Sequence, residues 1–478
     1  MAEAESGRVR RAVTIPGGAE GLARRLREGL PADAGSWFWL DGAAAGAGEE
    51  AVSYLGIAAA VATAAPGQHG EFLELIGGHR AARDRSAAAS APSVGFHSGW
   101  VAALGYEFGE ALLGLDPTPD DVAAALALRA DVVVAVSGER GELRAARDAH
   151  IDAWLAEHGG LLAGASAGCD PEPGSDPEPG GDPARAPVPT APPVPPAWRH
   201  DDGAYAAAVD ACKAAIRDGE AYVLCLTDTL TATTRADPLD LFLELRARGG
   251  ALRGGLIVTP GRALVSASPE RFLSIRGSRI DTHPIKGTRP RGGTPAEDER
   301  LAAELRADPK ERAENLMIVD LMRNDLSRVC APGSVAVTGF LRVETHQHVH
   351  QLVSTVSGEL RQGEGAASAI AACFPGGSMT GAPKRRAIEL LREFEAGPRG
   401  LYAGCFGWLD RGGDVELAMT IRGVELRGAG DTRTARIGAG GGITADSRPS
   451  AELAEKHLKA ASLVRALDAV SALDAAGA

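Results

Sequence analysis

No two cysteines in this chain lie close enough in sequence to form a metal knuckle or a redox pair. The six, at positions 169, 212, 225, 330, 373 and 405, are scattered over 478 residues, with no C-x-x-C and no histidine–cysteine cluster. That spacing fits reduced thiols in a cytoplasm and argues against a disulfide frame or a zinc site. Long apolar runs are missing as well. The nearest, "GIAAAVATAAPG", falls short of the ~18 apolar residues that a membrane span requires. The opening "MAEAESGRVRR" has no apolar signal core. Positive charge is scarce: 50 basic residues face 63 acidic ones, a net charge of -13. A nucleic-acid surface wants a basic face, so that class of function is set aside. The expectation is a cytoplasmic protein that touches neither membrane nor nucleic acid. An anionic small substrate would need local cations or a bound metal.

What is present is a large apolar fraction, 45%, in a chain too long for one ordinary core. The run "GCDPEPGSDPEPGGDPARAPVPTAPPVPP", 168–196, holds 11 of the 29 prolines and cannot build a core. It suggests an N-terminal domain over 1–166, a linker over 167–200 and a larger domain over 201–475. Strand-like runs include "SWFWLD", "AVSYLGI", "DVVVAVSG", "AYVLCLTD", "GLIVT", "ALVSAS", "VSTVSGEL", "AGCFGWLD" and "VELAMTIRGV". Helical stretches fall at 18–29, 144–157, 203–217, 238–247, 310–327, 383–394 and 450–472. Strands come in groups instead of alternating strictly with helices. The fold class expected is therefore α+β with largely antiparallel sheets.

Chemistry-bearing residues concentrate in the larger domain. In "DTHPIKGTRPRG" the lysine Lys286 sits between Pro284-Ile285 and Gly287-Thr288. Proline fixes φ and glycine permits tight turning, so the corner is stiff. Either Lys286 points into water from a turn, or it is a placed amine. "SASPERFL" sets Glu270 beside Pro269, 16 residues earlier; on neighbouring strands the pair would form a general acid and a nucleophile. In "ADPKERAENLMIVDLMRNDL", Asp308 and Pro309 start a helix, Glu311 completes a D-x-x-E capping box, and Glu314 follows one turn later. "DSRPSAELAEKHLKA" starts another at Ser447 and Pro449 and puts Glu452, Glu455 and Lys459 on one face. The four glutamates are either solvated stripes or a set of hard oxygen donors of the kind Mg²⁺ takes. "GAGGG", Gly438 to Gly442, is a plain turn or an anion-binding nest. Arg422 in "TIRGV" is an ordinary ion-pair partner or a carboxylate receptor.

Together "SPERF", "PIKGT", "AENLMIVDLMRNDL", "GSMTGAPKRRA", "IRGV" and "GGGITADSRPSAELAEKHLKA" resemble the chorismate-utilising enzymes, in the family's own order, over about 203–472. Weaker similarity in "GWVAALGYEFGE" and "WFWLDG" extends the resemblance toward the N-terminus. The family fold it implies is a layered core of antiparallel sheets with helices outside. "PIKGT" and "GSMTGAPK" are similar to the aminodeoxychorismate synthase component I branch, whereas anthranilate synthases usually carry alanine at the position of Lys286. The resemblance implies that Lys286 is a nucleophile on C2 of chorismate and that Glu270 protonates the departing C4 hydroxyl. It implies Mg²⁺ held by Glu314 and Glu455 with Glu311 and Glu452 nearby, and chorismate contacts at Thr288, Ser378, Tyr402, Arg422, Gly440, Gly442 and Lys459. It also implies a separate glutamine amidotransferase subunit as the ammonia source, with 4-amino-4-deoxychorismate feeding p-aminobenzoate and folate. "AGCFGWL" around Cys405 is not a glutaminase turn, because Ala403 replaces its first glycine and no His-Pro-Glu follows.

Three positions depart from the family pattern. Gln351 stands where a histidine is usual, with His350 beside it. Val223 replaces the water-activating lysine of isochorismate and salicylate synthases. "WLDG" stands where an "LLES"-like stretch marks tryptophan-regulated anthranilate synthases. The rival expectations are an anthranilate synthase component I and a catalytically inactive chorismate-binding homologue.

Overall fold

The computed structural model describes residues 8–31, 35–42, 51–78, 95–163, 196–249, 252–346 and 349–476. The Pro-rich segment, apart from Pro196, and Cys169 lie outside the described residues. Two antiparallel sheets form the centre, one of twelve strands and one of ten. Both take strands from either side of the Pro-rich segment: Trp37–Asp41 pairs with Arg253–Thr259, and Gly99–Leu104 pairs with Cys405–Asp410. The expected boundary between residues 166 and 201 is therefore not a boundary between sheets.

Side-chain alternation explains why the central strands read as continuous apolar runs. In Trp37–Asp41 all five residues are buried. Trp37 and Trp39 pack outward against the helices Gly18–Gly29 and Pro238–Gly249, while Phe38 and Leu40 point between the sheets. Leu256 and Val265 repeat the outward packing, and Ile257 and Leu264 the inward. The outer face of the ten-stranded sheet is covered by His69–Gly77, Pro309–Ser327 and Ala366–Cys373. Helices, sheet, sheet and helices thus stack as four layers. Each large side chain buried this way contributes roughly 1.5–3 kcal/mol.

One expected strand is in fact two. "VELAMTIRGV" divides into Val415–Met419 in the ten-stranded sheet and Gly423–Arg427 in the twelve-stranded one. Residues 420–422 cross between the layers, with Arg422 at φ 53. "ALVSASPERFL" behaves likewise: Arg262–Ser268 lies in one sheet and Arg271–Arg276 in the other, with Pro269 and Glu270 between them. The two crossings run side by side. Ala267 donates its N–H to Arg422 O at 3.0 Å, Met419 to Glu270 O at 3.0 Å, and the Ser266 hydroxyl to Ile421 O at 3.1 Å.

The C-terminal helix Pro449–Ala476 is anchored by a charge with no access to solvent. Lys456 is fully buried, its ammonium 3.0 Å from Asp228 Oδ2 and 4.2 and 4.3 Å from the ring centroids of Trp198 and Tyr205. Removing one partner of a buried pair strands the other, at a cost of roughly 3–5 kcal/mol. Asp228→Ala should therefore lower the urea midpoint sharply. Lys456→Met should cost less, because Asp228 keeps the Thr229 N–H and His200 as partners. Equal losses would show that the pair is not what anchors the helix.

Candidate active site

Pro284 and Gly287 shape the corner that carries Lys286. The hairpin Arg271–Arg276/Arg279–His283 pairs Arg271 with His283, so Glu270 and residues 284–286 lie side by side past its open end. After Pro284 the chain resumes pairing along Val349–Glu359, with Ile285 opposite Val353. Gly287 has φ 87, and a Cβ there would meet Glu311 Cδ at 3.0 Å and Leu305 Cδ1 at 2.8 Å. Only glycine fits, and the backbone so placed turns the Lys286 amine inward. Its Nζ is 3.9 Å from Glu314 Oε2. The turn-lysine alternative is thereby removed: Lys286 faces carboxylates, not bulk water.

Glu270 is buried, with the Ser378 hydroxyl and the Ile285 N–H beside its carboxyl. Burial pushes its pKa up to about 7, against the opposing pull of Ser378, Lys286 and Arg253. A carboxyl so placed is a proton donor near neutrality. Lys286 is shifted upward. Burial favours the neutral form, but Glu314, Cys225, Glu270 and Glu455 outweigh it and hold the ammonium above its ordinary range.

The glycine run belongs to the strand Arg433–Ile443, which supplies space instead of side chains. A Cβ on Gly442 would lie 3.7–3.8 Å from Val223 Cγ2, Glu314 Oε2 and Lys286 Nζ. One on Gly441 would lie 3.0 Å from Glu452 Oε2 and 3.4 Å from Glu455 Oε1. The "GAGGG" segment is thus a strand and not a turn, with the carboxylates of both helices gathered around its end. Gly440 presents its carbonyl to Lys459 Nζ at 2.8 Å, and Lys459 also pairs with Glu455 at 2.6 Å. Gly438 leaves room for the Tyr402 ring, whose Cγ would be 2.0 Å from a Cβ there.

The glutamates differ. Asp308 caps Pro309–Ser327 by accepting from the N–H groups of Lys310 and Glu311, as expected. Glu311 does not close the capping box but turns to Arg289 at 3.5 Å, and burial with Glu314 nearby raises its pKa. Glu452 is buried, accepts from Ser447 at 2.8 Å, and is likewise raised by burial. Glu455 is lowered: burial would raise it, but Lys459, Lys310 and Lys286 prevail. Among the described residues no three carboxylate, imidazole or thiol groups converge closely enough to hold a metal ion as they stand. The donor set still suits a hard cation, since every ligand atom it offers is a carboxylate oxygen.

Other expected contacts ring this recess. Ser378 is engaged with Glu270, and Thr288 is exposed opposite Gln351. The Arg422 side chain is exposed, and no partner for its guanidinium is found among the described residues. An added anion would therefore find an unpaired guanidinium there. His350 is committed elsewhere, to Asp298 at 2.8 Å and Thr345 at 2.9 Å. Gln351 is buried with its Oε1 unpartnered. Two cations escaped the sequence reading. Lys310 lies 3.7 Å from Glu314 and 3.9 Å from Glu452; its i,i+4 spacing to Glu314 was the available signal. Arg399, fully buried, binds Glu395, Met379 O and Cys225 O beneath the site, and nothing in its local sequence marks it.

Comparison with known proteins gives concordant findings. The family model for chorismate binding enzymes matches residues 38–465. The chain is 40% identical over 386 residues to the aminodeoxychorismate synthase of Streptomyces griseus, covering 78% of this chain and 50% of that protein. It is 42% identical over 275 residues to anthranilate synthase component 1 of Mycolicibacterium smegmatis, covering 56% and 52%. The chain thus spans about half the length of these curated relatives. In fold it is similar to the crystal structure of anthranilate synthase component I from Streptococcus pneumoniae, with TM-score 0.67, 23% identity, and 97% and 94% of the two chains covered.

The glycines permit a test that separates fold from site. A Cβ on Gly440 would sit 2.0 Å from Leu226 O, which is backbone and cannot retreat, so Gly440→Ala should lower the melting temperature. Gly441→Ala meets only carboxylate tips and should melt normally while losing turnover. Identical melting and turnover in both variants would contradict this account of the strand.

Proposed function

The chain belongs to the chorismate-binding enzymes, and from that membership we propose that it is the chorismate-converting component of an aminodeoxychorismate synthase. It combines chorismate with ammonia to give 4-amino-4-deoxychorismate and water, on the way to p-aminobenzoate and folate. One observation carries the reading: a largely enclosed amine, Lys286, which pairs with Glu314, acts on a buried carboxyl, Glu270, whose pKa is raised to about 7.

In the proposed sequence the Lys286 amine bonds to C2 of chorismate, the ring double bonds shift, and the C4 hydroxyl leaves as water with the Glu270 proton. Ammonia then bonds to C4, the double bonds shift back, and the C2–nitrogen bond breaks to return the lysine. Arg422 receives a substrate carboxylate, with Tyr402, Thr288 and the backbone at Gly440 and Gly442 shaping the recess. Ser378 orients the Glu270 carboxyl, and Lys459 steadies Glu455 and the Gly440 carbonyl. Glu314 and Glu455 would hold Mg²⁺, with Glu311 and Glu452 as outer partners; the cation would supply charge to bind the substrate's carboxylate. With positive charge set against Glu314 and Glu455, their pull on the Lys286 ammonium would weaken and the balance would move toward the free amine. Val223 supports amine over water as the nucleophile, since its methyls stand near Lys286 and offer no base.

Ammonia is proposed to come from a glutamine amidotransferase subunit. The described cysteines, 212, 225, 330, 373 and 405, are all buried, and burial raises every thiol among them. None is set up as a glutaminase nucleophile. The second reading, anthranilate synthase component I, rests on the identity to the Mycolicibacterium protein. Incubating the chain with chorismate, Mg²⁺ and ammonium and identifying products by mass separates the two: anthranilate would overturn the first reading.

Lys286→Ala and Glu270→Gln should each reduce 4-amino-4-deoxychorismate formation by about 10²-fold or more while leaving the melting temperature near the parent's. Because the acid form of Glu270 is required, and its pKa is about 7, the rate at constant free ammonia should fall as pH rises through that value. Glu270→Gln should lack this limb. A parental rate in Lys286→Ala with the same product would reduce the lysine to a corner residue.

A further inference from the structure

Lys310 is the second residue of the helix Pro309–Ser327, and its ammonium reaches across to a different helix. It lies 3.7 Å from Glu314 Oε1, one turn on, and 3.9 Å from Glu452 Oε1, in Pro449–Ala476. Burial works against its charge, yet Glu314, Glu452, Glu455 and Glu311 all act on it and raise its pKa. The side chain is 57% exposed. It therefore enters from solvent and can withdraw along the same route without uncovering any core. The glutamates around it do not converge as a metal cage, and a single positive charge already lies between two of them.

Resting on the proposed metal site, we propose that Lys310 is a displaceable counter-ion: it sits between Glu314, a proposed ligand, and Glu452, an outer partner, and it must swing into solvent before a divalent cation binds. The reasoning is electrostatic. In the metal-free protein Glu314, Glu452 and Glu455 would repel one another across the gap between two helices. Lys286 and Lys459 compensate from the recess side, and Lys310 does so from the solvent side. A divalent ion among the same carboxylates would face a like charge at close range, so the two are alternatives. The residue thereby keeps the two helix starts together without metal and weakens metal binding to a level at which the ion exchanges.

Isothermal titration of Mg²⁺, with Mn²⁺ as a second probe, into the metal-free chain tests this. Lys310→Met should bind Mg²⁺ about 10-fold more tightly than the parent, and the gap should shrink at high salt. Lys310→Arg, which keeps the charge, should stay near the parent. Without metal, Lys310→Met should melt below the parent, and saturating Mg²⁺ should close the difference. Unchanged or weaker binding in Lys310→Met, with normal binding in the parent, would overturn the counter-ion and leave the metal site standing. Absence of Mg²⁺ and Mn²⁺ binding in the parent, with no change in Glu314→Gln, would overturn the metal reading and this inference with it.

Discussion

Where the chain passes from one sheet to the other at 266–271 and again at 418–423, backbone hydrogen bonds zip the two passages together. Those bonds fix more than the packing of layers. Glu270 lies in one passage and Arg422 in the other, so the proposed proton donor and the proposed anion receptor start from backbone positions that the ladder fixes. A crossing between layers also exposes the strand ends, which is where a recess can open without breaking either core. The positive φ of Arg422 is a local strain that the surrounding ladder sustains. A substrate site built on such passages gains rigidity from both sheets at once.

Charge balance is the second constraint. Around the end of the strand Arg433–Ile443 the ion-pair partners of Glu314, Glu452 and Glu455 among the described residues are all lysines: Lys286, Lys310 and Lys459. Every lysine touches at least one glutamate, and no arginine forms an ion pair with these three among the described residues. An ammonium on a flexible stem is a point charge that can leave. The planar, bidentate arginine pairs sit elsewhere, in permanent structure: Arg399 with Glu395, and Arg427 with Asp120 and Glu425. Residue choice thus matches the proposed division between contacts that stay and contacts that exchange.

Much of this was legible in the sequence, for reasons that differ by element. The helix expected at 310–327 is marked by its Asp308-Pro309 start. The helix Pro295–Ala307 carries a capping signature in Thr294 and Glu297, and Thr294 does cap it. "VELAMTIRGV" was read as one strand because a crossing between sheets leaves no compositional mark: both halves are apolar and β-branched. The glycines at 440–442 looked like a turn because a strand without side chains is rare; their reason lies in residues from helices far along the chain. The resemblance named Lys286, Glu270 and the glutamates. It could not give the direction of the Lys286 shift, which depends on four groups brought together only by folding. Lys310 illustrates the limit most plainly, since its nearest partner is four residues away and its other partner, Glu452, is on another helix.

The contrast between positions 223 and 286 shows how little sequence change redirects such a recess. Both side chains approach Gly442 from different strands, Val223 with a methyl and Lys286 with an amine. An amine at 223 would sit over the same gap and could hold a water, whereas a methyl there excludes one. In the proposed mechanism the Lys286 amine is the attacking group, and Glu314 is the largest of the charges that hold its proton. The same carboxylate contacts Lys310, so the proposed nucleophile and the proposed cation site share one glutamate, and substitutions at any of the three should be read as coupled.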